Sequence, residues 1–389
     1  MKSKVTICGG GIAGLSCAIT LLKVGYDVTV IDEFQSGTTF EQSDVSDDVN
    51  VFVLGESDKL LIESLLETTF VSASKVTCLS NKGSYVIPCD RFRIARKGYT
   101  RNSFNSRLHS VAAQLGAKFQ SQPAVIPDTG SDQEVVLAMG NGASQFDYCL
   151  YGWRFNVECR IPDKSVLFDV CSITDSYCYA ARLGSSVTIV LLSKRDLEDR
   201  VVADYYRNRL RSVIDGSIEF TCTPFVYPMP TRLRDPYQRN MIGTMRGIND
   251  SLFYFGFSDS IVDGINYGLW RAFEDYNAGS FLRNNFRKHA LIEIANFLKN
   301  VFHYFGKKEL FAEMILKNRL LTDCFIGLTS TSFSEDLAES IGRITTGWRH
   351  RSDAKTTAPL SGRIRPSTGG GFTAIDSPFD SAQGDTVKS

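Results

Sequence analysis

The six residues Gly9-Gly10-Gly11-Ile12-Ala13-Gly14 constrain this chain more than any other stretch. They stand between an apolar strand pattern, Val5-Thr6-Ile7-Cys8, and a helix pattern running from Leu15 to Leu22. Gly9 permits a tight turn, Gly11 leaves the backbone open to a pyrophosphate, and Gly14 lets the helix pack close to the sheet. The N–H groups at the start of that helix, together with the positive end of its dipole, are suited to hold the anion. Gly25 falls where the helix should stop, and a second strand, Val28-Thr29-Val30-Ile31, ends in Asp32-Glu33. An acid at that point accepts hydrogen bonds from the ribose hydroxyls of an adenosine and repels a 2′-phosphate. The spacing is that of a Rossmann-like βαβ unit holding a dinucleotide. Its expected contacts are Gly9, Gly11, Ile12, Ala13, Gly14, Asp32 and Glu33.

Charge and composition narrow the rest. Lys plus Arg equals Asp plus Glu at 43 each, so no overall field draws the chain to nucleic acid or to an anionic membrane. Hydrophobic residues make up 43% of 389 residues, enough for two connected domains with real cores. The longest apolar runs, such as 187–192, fall far short of the roughly 20 residues that span a bilayer. Met1-Lys2-Ser3-Lys4 runs straight into the first strand without a leader pattern, which places the chain in the cytoplasm as an expectation. Ten cysteines lie scattered without a Cys-x-x-Cys pair or metal-ligand spacing, and Cys8, Cys17 and Cys149 fall inside expected elements. Reduced thiols acting as small hydrophobes fit that distribution, and no metal site is expected.

Further along, residues 35–50 have the composition of a loop excursion. A helix is expected near 59–66 and a strand over 83–88. A second helix has Phe104, Leu108, Val111, Ala112 and Leu115 on one face and Gly116 at its end. Strand patterns recur over 134–139, 146–151 and 187–192, and again over 217–227 and 251–257, with a helix over 199–214 between them. Residues 280–321 read as long, helical and moderately basic. The stretch Arg283-Asn284-Asn285-Phe286-Arg287-Lys288-His289 is basic and amphipathic, and either a solvated helix face or a contact to lipid headgroups would account for it. After Arg351 the excess of Pro, Gly, Ser and Thr is that of a disordered tail.

Two further blocks join the fingerprint. Arg101-Asn102-Ser103-Phe104 opens a helix, and Phe255-Gly256-Phe257-Ser258-Asp259-Ser260 is followed by Gly264-Ile265-Asn266-Tyr267-Gly268. With these three blocks the chain resembles the p-hydroxybenzoate hydroxylase and geranylgeranyl reductase superfamily of flavoproteins over roughly residues 4–275. The resemblance implies that FAD is the cofactor and that Arg101 reaches it. It also implies a strand that delivers Asp259 to the ribityl chain, and a glycine-rich helix start, with Gly264 and Asn266, against the flavin ring. Ser258 stands where the family has glycine, and Met139 replaces the acid of a further family motif.

The resulting expectation is an α/β chain: a Rossmann-like FAD-binding domain interleaved with a β-rich substrate domain, then C-terminal helices. The FAD-binding part takes 1–175 and 240–280, the substrate part 176–239 with part of 50–100, the helices 281–350 and the tail 351–389. By resemblance the activity is that of a flavin monooxygenase on an apolar or aromatic small molecule, with NAD(P)H as electron donor, directly or through a partner reductase. A prenyl-lipid reductase and a flavin-binding protein without turnover are the alternatives. No nucleic-acid partner is expected.

Overall fold

The computed structural model describes residues 3–33, 48–80, 83–98, 100, 102–122, 134–140, 148–157, 159–169, 176–214, 221–229, 240–246, 256–273, 276, 278–305, 308–329 and 335–345. The chain opens with β1 (Lys4–Cys8), α1 (Ile12–Lys23) and β2 (Asp27–Asp32), the expected βαβ unit. Then come β3 (Asp48–Val53), α2 (Glu56–Leu66), β4 (Val71–Ser72), β5 (Lys75–Ser80), β6 (Gly83–Ile87) and β7 (Phe92–Lys97). Next are α3 (Phe104–Gln114), β8 (Lys118–Ser121), β9 (Glu134–Leu137), β10 (Tyr148–Asn156) and β11 (Ser165–Asp169). They lead to β12 (Ser176–Leu183), β13 (Ser186–Ser193), α4 (Asp199–Tyr205), α5 (Arg211–Ile214) and β14 (Thr221–Met229). One π turn, Tyr206–Leu210, joins α4 to α5. The last elements are helices: α6 (Phe257–Ala272), α7 (Ala278–Tyr304), α8 (Lys308–Lys317), α9 (Arg319–Thr329) and α10 (Glu335–Thr345).

A four-stranded parallel sheet in the order β8-β2-β1-β9 carries the N-terminal unit. Chain connections leave β1 toward β2 on one side while β9 returns on the other, so the end of β1 is a topological switch point. Ligands of open α/β sheets bind at such points. A short bridge between Leu137 and Met241 continues the sheet past β9 in the parallel sense.

The second sheet has seven strands in the order β14-β10-β13-β12-β11-β5-β6. Side chains alternate along each strand. Trp153, Phe155, Cys178, Ala180, Ile189 and Leu191 face one way, where Val202, Tyr205, Tyr206, Leu210 and Ile214 of the α4–α5 helix cover them. Leu150, Tyr177, Val190 and Leu192 face the other, with Tyr179 and Phe225 packed on them. Gly152 of β10 is glycine because the Phe225 ring crosses it: an added Cβ would stand 2.1 Å from that ring.

Strands on both sides of residue 175 share the second sheet. β10 and β11 pair with β12–β14 rather than with β1, and β5 pairs in parallel with β11. Their sequences carry the strand pattern but nothing that names the partner, because a strand's pairing is set by tertiary context. A third sheet, β3-β7-β4, completes the strands. Among the described residues after 278 the elements are α7, α8, α9 and α10. Residues 251–255 of the strand expected over 251–257, and the tail after 351, lie outside the described residues.

Candidate dinucleotide site

Gly9 takes φ +111°, a conformation that side chains rarely adopt, and its position leaves no room for one: a Cβ there would meet the Ala138 carbonyl oxygen at 2.3 Å. At Gly14 the added atom would meet the carbonyl oxygen of Gly9 at 2.0 Å, so the helix sits directly against the strand end. Gly11 differs from both. It precedes α1 as its N-cap, and nothing lies within 4 Å of the space its side chain would fill. The first N–H groups of any α-helix lack partners within the helix. Here they lie beside that open space, with Ile12 and Ala13 in the first turn almost fully buried.

Asp32 ends β2 beside the fingerprint, and its Oδ2 accepts a hydrogen bond from the Gly10 N–H. That contact holds the loop to the second strand and leaves the carboxylate only half-buried. Glu33 is exposed. The His109 ring of α3 stacks on Phe119 with centroids 3.8 Å apart, and burial holds its pKa below the usual range although the Asp32 charge opposes this. Cys8 and Cys17, on either side of the loop, are buried thiols whose pKa burial pushes up. Among the described residues no group of side chains could hold a metal ion.

The largest departure from expectation concerns Asp259, Gly264 and Asn266. Residues 251–255, where the delivering strand was expected, lie outside the described residues, and no helix begins at Gly264. A single helix, α6, starts at Phe257, with Asp259 in its first turn and Gly264 and Asn266 in its interior. The physical reason is local. Ser258, Asp259 and Ser260 suit a first helical turn, where an acid meets the positive end of the dipole. The four residues between Asp259 and Gly264 leave no length for a separate turn. The Asp259 carboxylate pairs with Lys288 of α7 at 2.7 Å. Asn266 is buried and accepts a hydrogen bond from the Tyr276 hydroxyl.

Gly264 is explained by packing. A Cβ there would lie 2.2 Å from the Ala13 carbonyl oxygen, and one at Gly268 would lie 2.8 Å from Thr20. Contacts that advance in step along both helices make α6 parallel to α1. Phe257 lies seven residues before Gly264, so at the helical rise α6 overhangs the start of α1 by about 10 Å. Two positive helix ends therefore point the same way beside the open space at Gly11.

Sequence reading missed a third member of this junction. After the Leu137–Met241 bridge, Gly243 takes φ +69° and packs against Ala13, where a Cβ would come within 2.6 Å of the alanine Cβ. Its N–H donates to Asp263 Oδ2 at 2.8 Å, and the other Asp263 oxygen pairs with the fully buried Arg246. Met241-Ile242-Gly243 is too short an apolar run to signal a strand, and only its seat beside β9 marks it. Arg101 lies outside the described residues. The helix after it is present, with Ser103 Oγ accepting from the Ser106 N–H at 3.2 Å.

A family model described as FAD-dependent oxidoreductase matches residues 4–46. No curated protein matches the chain. Among solved structures, p-nitrophenol 4-monooxygenase from Pseudomonas putida DLL-E4 superposes with a TM-score of 0.51 at 12% identity, covering 90% of this chain and 94% of its own. The tetrameric form of 2-methyl-3-hydroxypyridine-5-carboxylic acid oxygenase gives 0.52 at 14% identity, over 79% and 93%. A myxobacterial chondrochloren halogenase, an FAD-dependent halogenase, gives 0.51 at 13%, over 89% and 97%. The chain thus shares sequence with FAD-dependent oxidoreductases in its N-terminal unit, and shares the Rossmann-type flavoprotein fold along most of its length.

Proposed function

We propose that this chain binds FAD and works as a monooxygenase on an apolar or aromatic small molecule, with NAD(P)H as the source of electrons. The observation that carries the reading is the parallel docking of α6 on α1. A dinucleotide held by the βαβ unit alone needs no second helix, whereas a cofactor that continues past its pyrophosphate meets the overhanging first turns of α6.

Gly11, Ile12 and Ala13 would hold the pyrophosphate on their N–H groups, and Asp32 would accept from the adenosine ribose. Bound FAD would supply the two-electron chemistry that no side chain here provides. The α6 N-terminus would favour negative charge on a reduced ring. Asp259, fixed by Lys288 in that first turn, would tune this field rather than stand free at a strand end.

Substrate would lie against the sheet face that carries Tyr177, Tyr179, Val190 and Phe225. On that face Asp48 and Arg154 form an ion pair at 2.6 Å close enough to act on Tyr179, whose hydroxyl burial pushes up. Solved oxygenases share this fold.

Purified protein should show the visible spectrum of oxidised flavin and release FAD on denaturation. It should also consume NADPH or NADH faster when aromatic compounds are supplied. A colourless preparation that takes up no FAD would overturn the proposal. Asp32→Ala should weaken FAD binding by about 1.5–3 kcal/mol, the scale of a hydrogen bond to a charged group. Titration of apoprotein by fluorescence quenching measures it, and an unchanged dissociation constant would remove Asp32 from the site.

A further inference from the structure

The helices that follow α6 expose more apolar surface than water tolerates without cause. On α7 the side chains of Phe286, Leu291, Ile294, Phe297, Leu298 and Tyr304 are exposed, as is Phe305 just after it, with 66% of Phe297, 84% of Tyr304 and 68% of Phe305 accessible. At 100° per residue these seven positions fall within an arc of about 140°, one stripe of the helix. The inner side is spoken for: Ile292 is buried and Lys288 is tied to Asp259. Leu310 and Met314 of α8 and Leu320 of α9 are exposed as well, on helices that pack in turn against α7.

Charge selects the occupant. Residues 278–329 hold eight Lys and Arg against four Asp and Glu in a chain that is neutral overall, so this region carries a positive excess that the rest offsets. A second copy of the chain docking by the same face would bring two positive surfaces together. The tail after 345, with six Lys and Arg against four Asp and Glu, has the same sign. A negatively charged lipid surface complements both properties. Aromatic rings prefer the depth between headgroups and acyl chains, and cations at the rim meet the lipid phosphates. No helix among the described residues is long and apolar enough to cross a membrane, so the mode is lying on the bilayer.

We propose that the exposed face of α7, with the neighbouring helices α8 and α9, docks the protein on an anionic bilayer surface. The proposal does not depend on the flavin reading.

The full chain should sediment with vesicles of phosphatidylcholine containing about one third phosphatidylglycerol, and at least about tenfold less with pure phosphatidylcholine. Raising the salt from about 0.1 to about 0.5 M should weaken binding. Ile294→Glu with Phe297→Glu should lose at least about tenfold in binding while leaving the circular dichroism spectrum unchanged, because both side chains already meet water. Arg287→Glu, which leaves the apolar stripe intact, should weaken binding to the anionic vesicles alone. Absence of the wild-type chain from the vesicle pellet, or pelleting that neither variant reduces, would overturn the proposal. So would a dimer in sedimentation analysis that Ile294→Glu with Phe297→Glu dissociates, since the occupant would then be a second copy.

Discussion

Gly11→Val should yield a soluble, cooperatively folding protein that has lost its flavin. The space beside Gly11 is open, so the new side chain displaces no protein atom. It fills the volume a pyrophosphate needs against the start of α1. Binding should weaken by at least about a hundredfold, equivalent to about 2.8 kcal/mol. The neighbouring glycines predict a different outcome. Gly14→Val drives a Cβ into the Gly9 carbonyl, and Gly9→Val combines strain at φ +111° with a collision at Ala138. Each should cost about 3 kcal/mol of stability or more and give little folded protein. Thermal melts and flavin content, measured on all three variants, separate the two effects. Full flavin content in Gly11→Val would show that the fingerprint is not the binding site.

Asp263→Ala should destabilise the chain by about 3–5 kcal/mol, more than loss of its partner does. The carboxylate holds the Gly243 N–H and the buried Arg246 together at the junction of α1, α6 and the sheet. Without it an arginine that cannot shed its charge faces a low-dielectric core. Arg246→Met leaves Asp263 instead, and a carboxyl group can take up a proton. Burial already pushes the Asp263 pKa up, against the pull of Arg246. The methionine variant should therefore lose only about 2 kcal/mol, near the cost of one poorly satisfied buried group.

The sign of its pH dependence follows from the raised pKa. A carboxyl whose folded pKa lies above the unfolded value of about 3.9 favours the folded state when protonated. The stability of Arg246→Met should thus be best at acid pH, and fall relative to wild type as pH rises from the unfolded value through the raised one. Urea melts across that range measure it. Equal losses for the two variants at neutral pH would show that the pair acts through packing and not charge.

Both predictions turn on residues whose legibility differs. Gly9, Gly11 and Gly14 could be read directly, because a strand, three glycines and a helix within 20 residues encode their own geometry. Asp32 was legible for the same reason, one strand later. The helix with Phe104, Leu108, Val111 and Ala112 was visible because its buried face repeats at the helical period. The C-terminal region read as one helical stretch, though the chain breaks it into α7, α8 and α9. The α4–α5 segment read as one helix too, and its π turn left no sequence mark.

What the sequence by itself determined was local: the fingerprint loop, the ends of its helix, and the burial pattern of individual elements. Each of these depends on neighbours within a few residues, so periodicity and glycine placement suffice. Only the tertiary structure decided which strands form the second sheet, that Gly264 serves helix packing, and that Gly243, Arg246 and Asp263 meet beside Ala13. The contacts of Gly243 and Gly264 with Ala13 join segments more than 200 residues apart, and even β5 and β11 meet from 90 residues apart. A glycine needed for close approach and a glycine needed to start a helix are the same letter, and only the partner that arrives across the fold tells them apart.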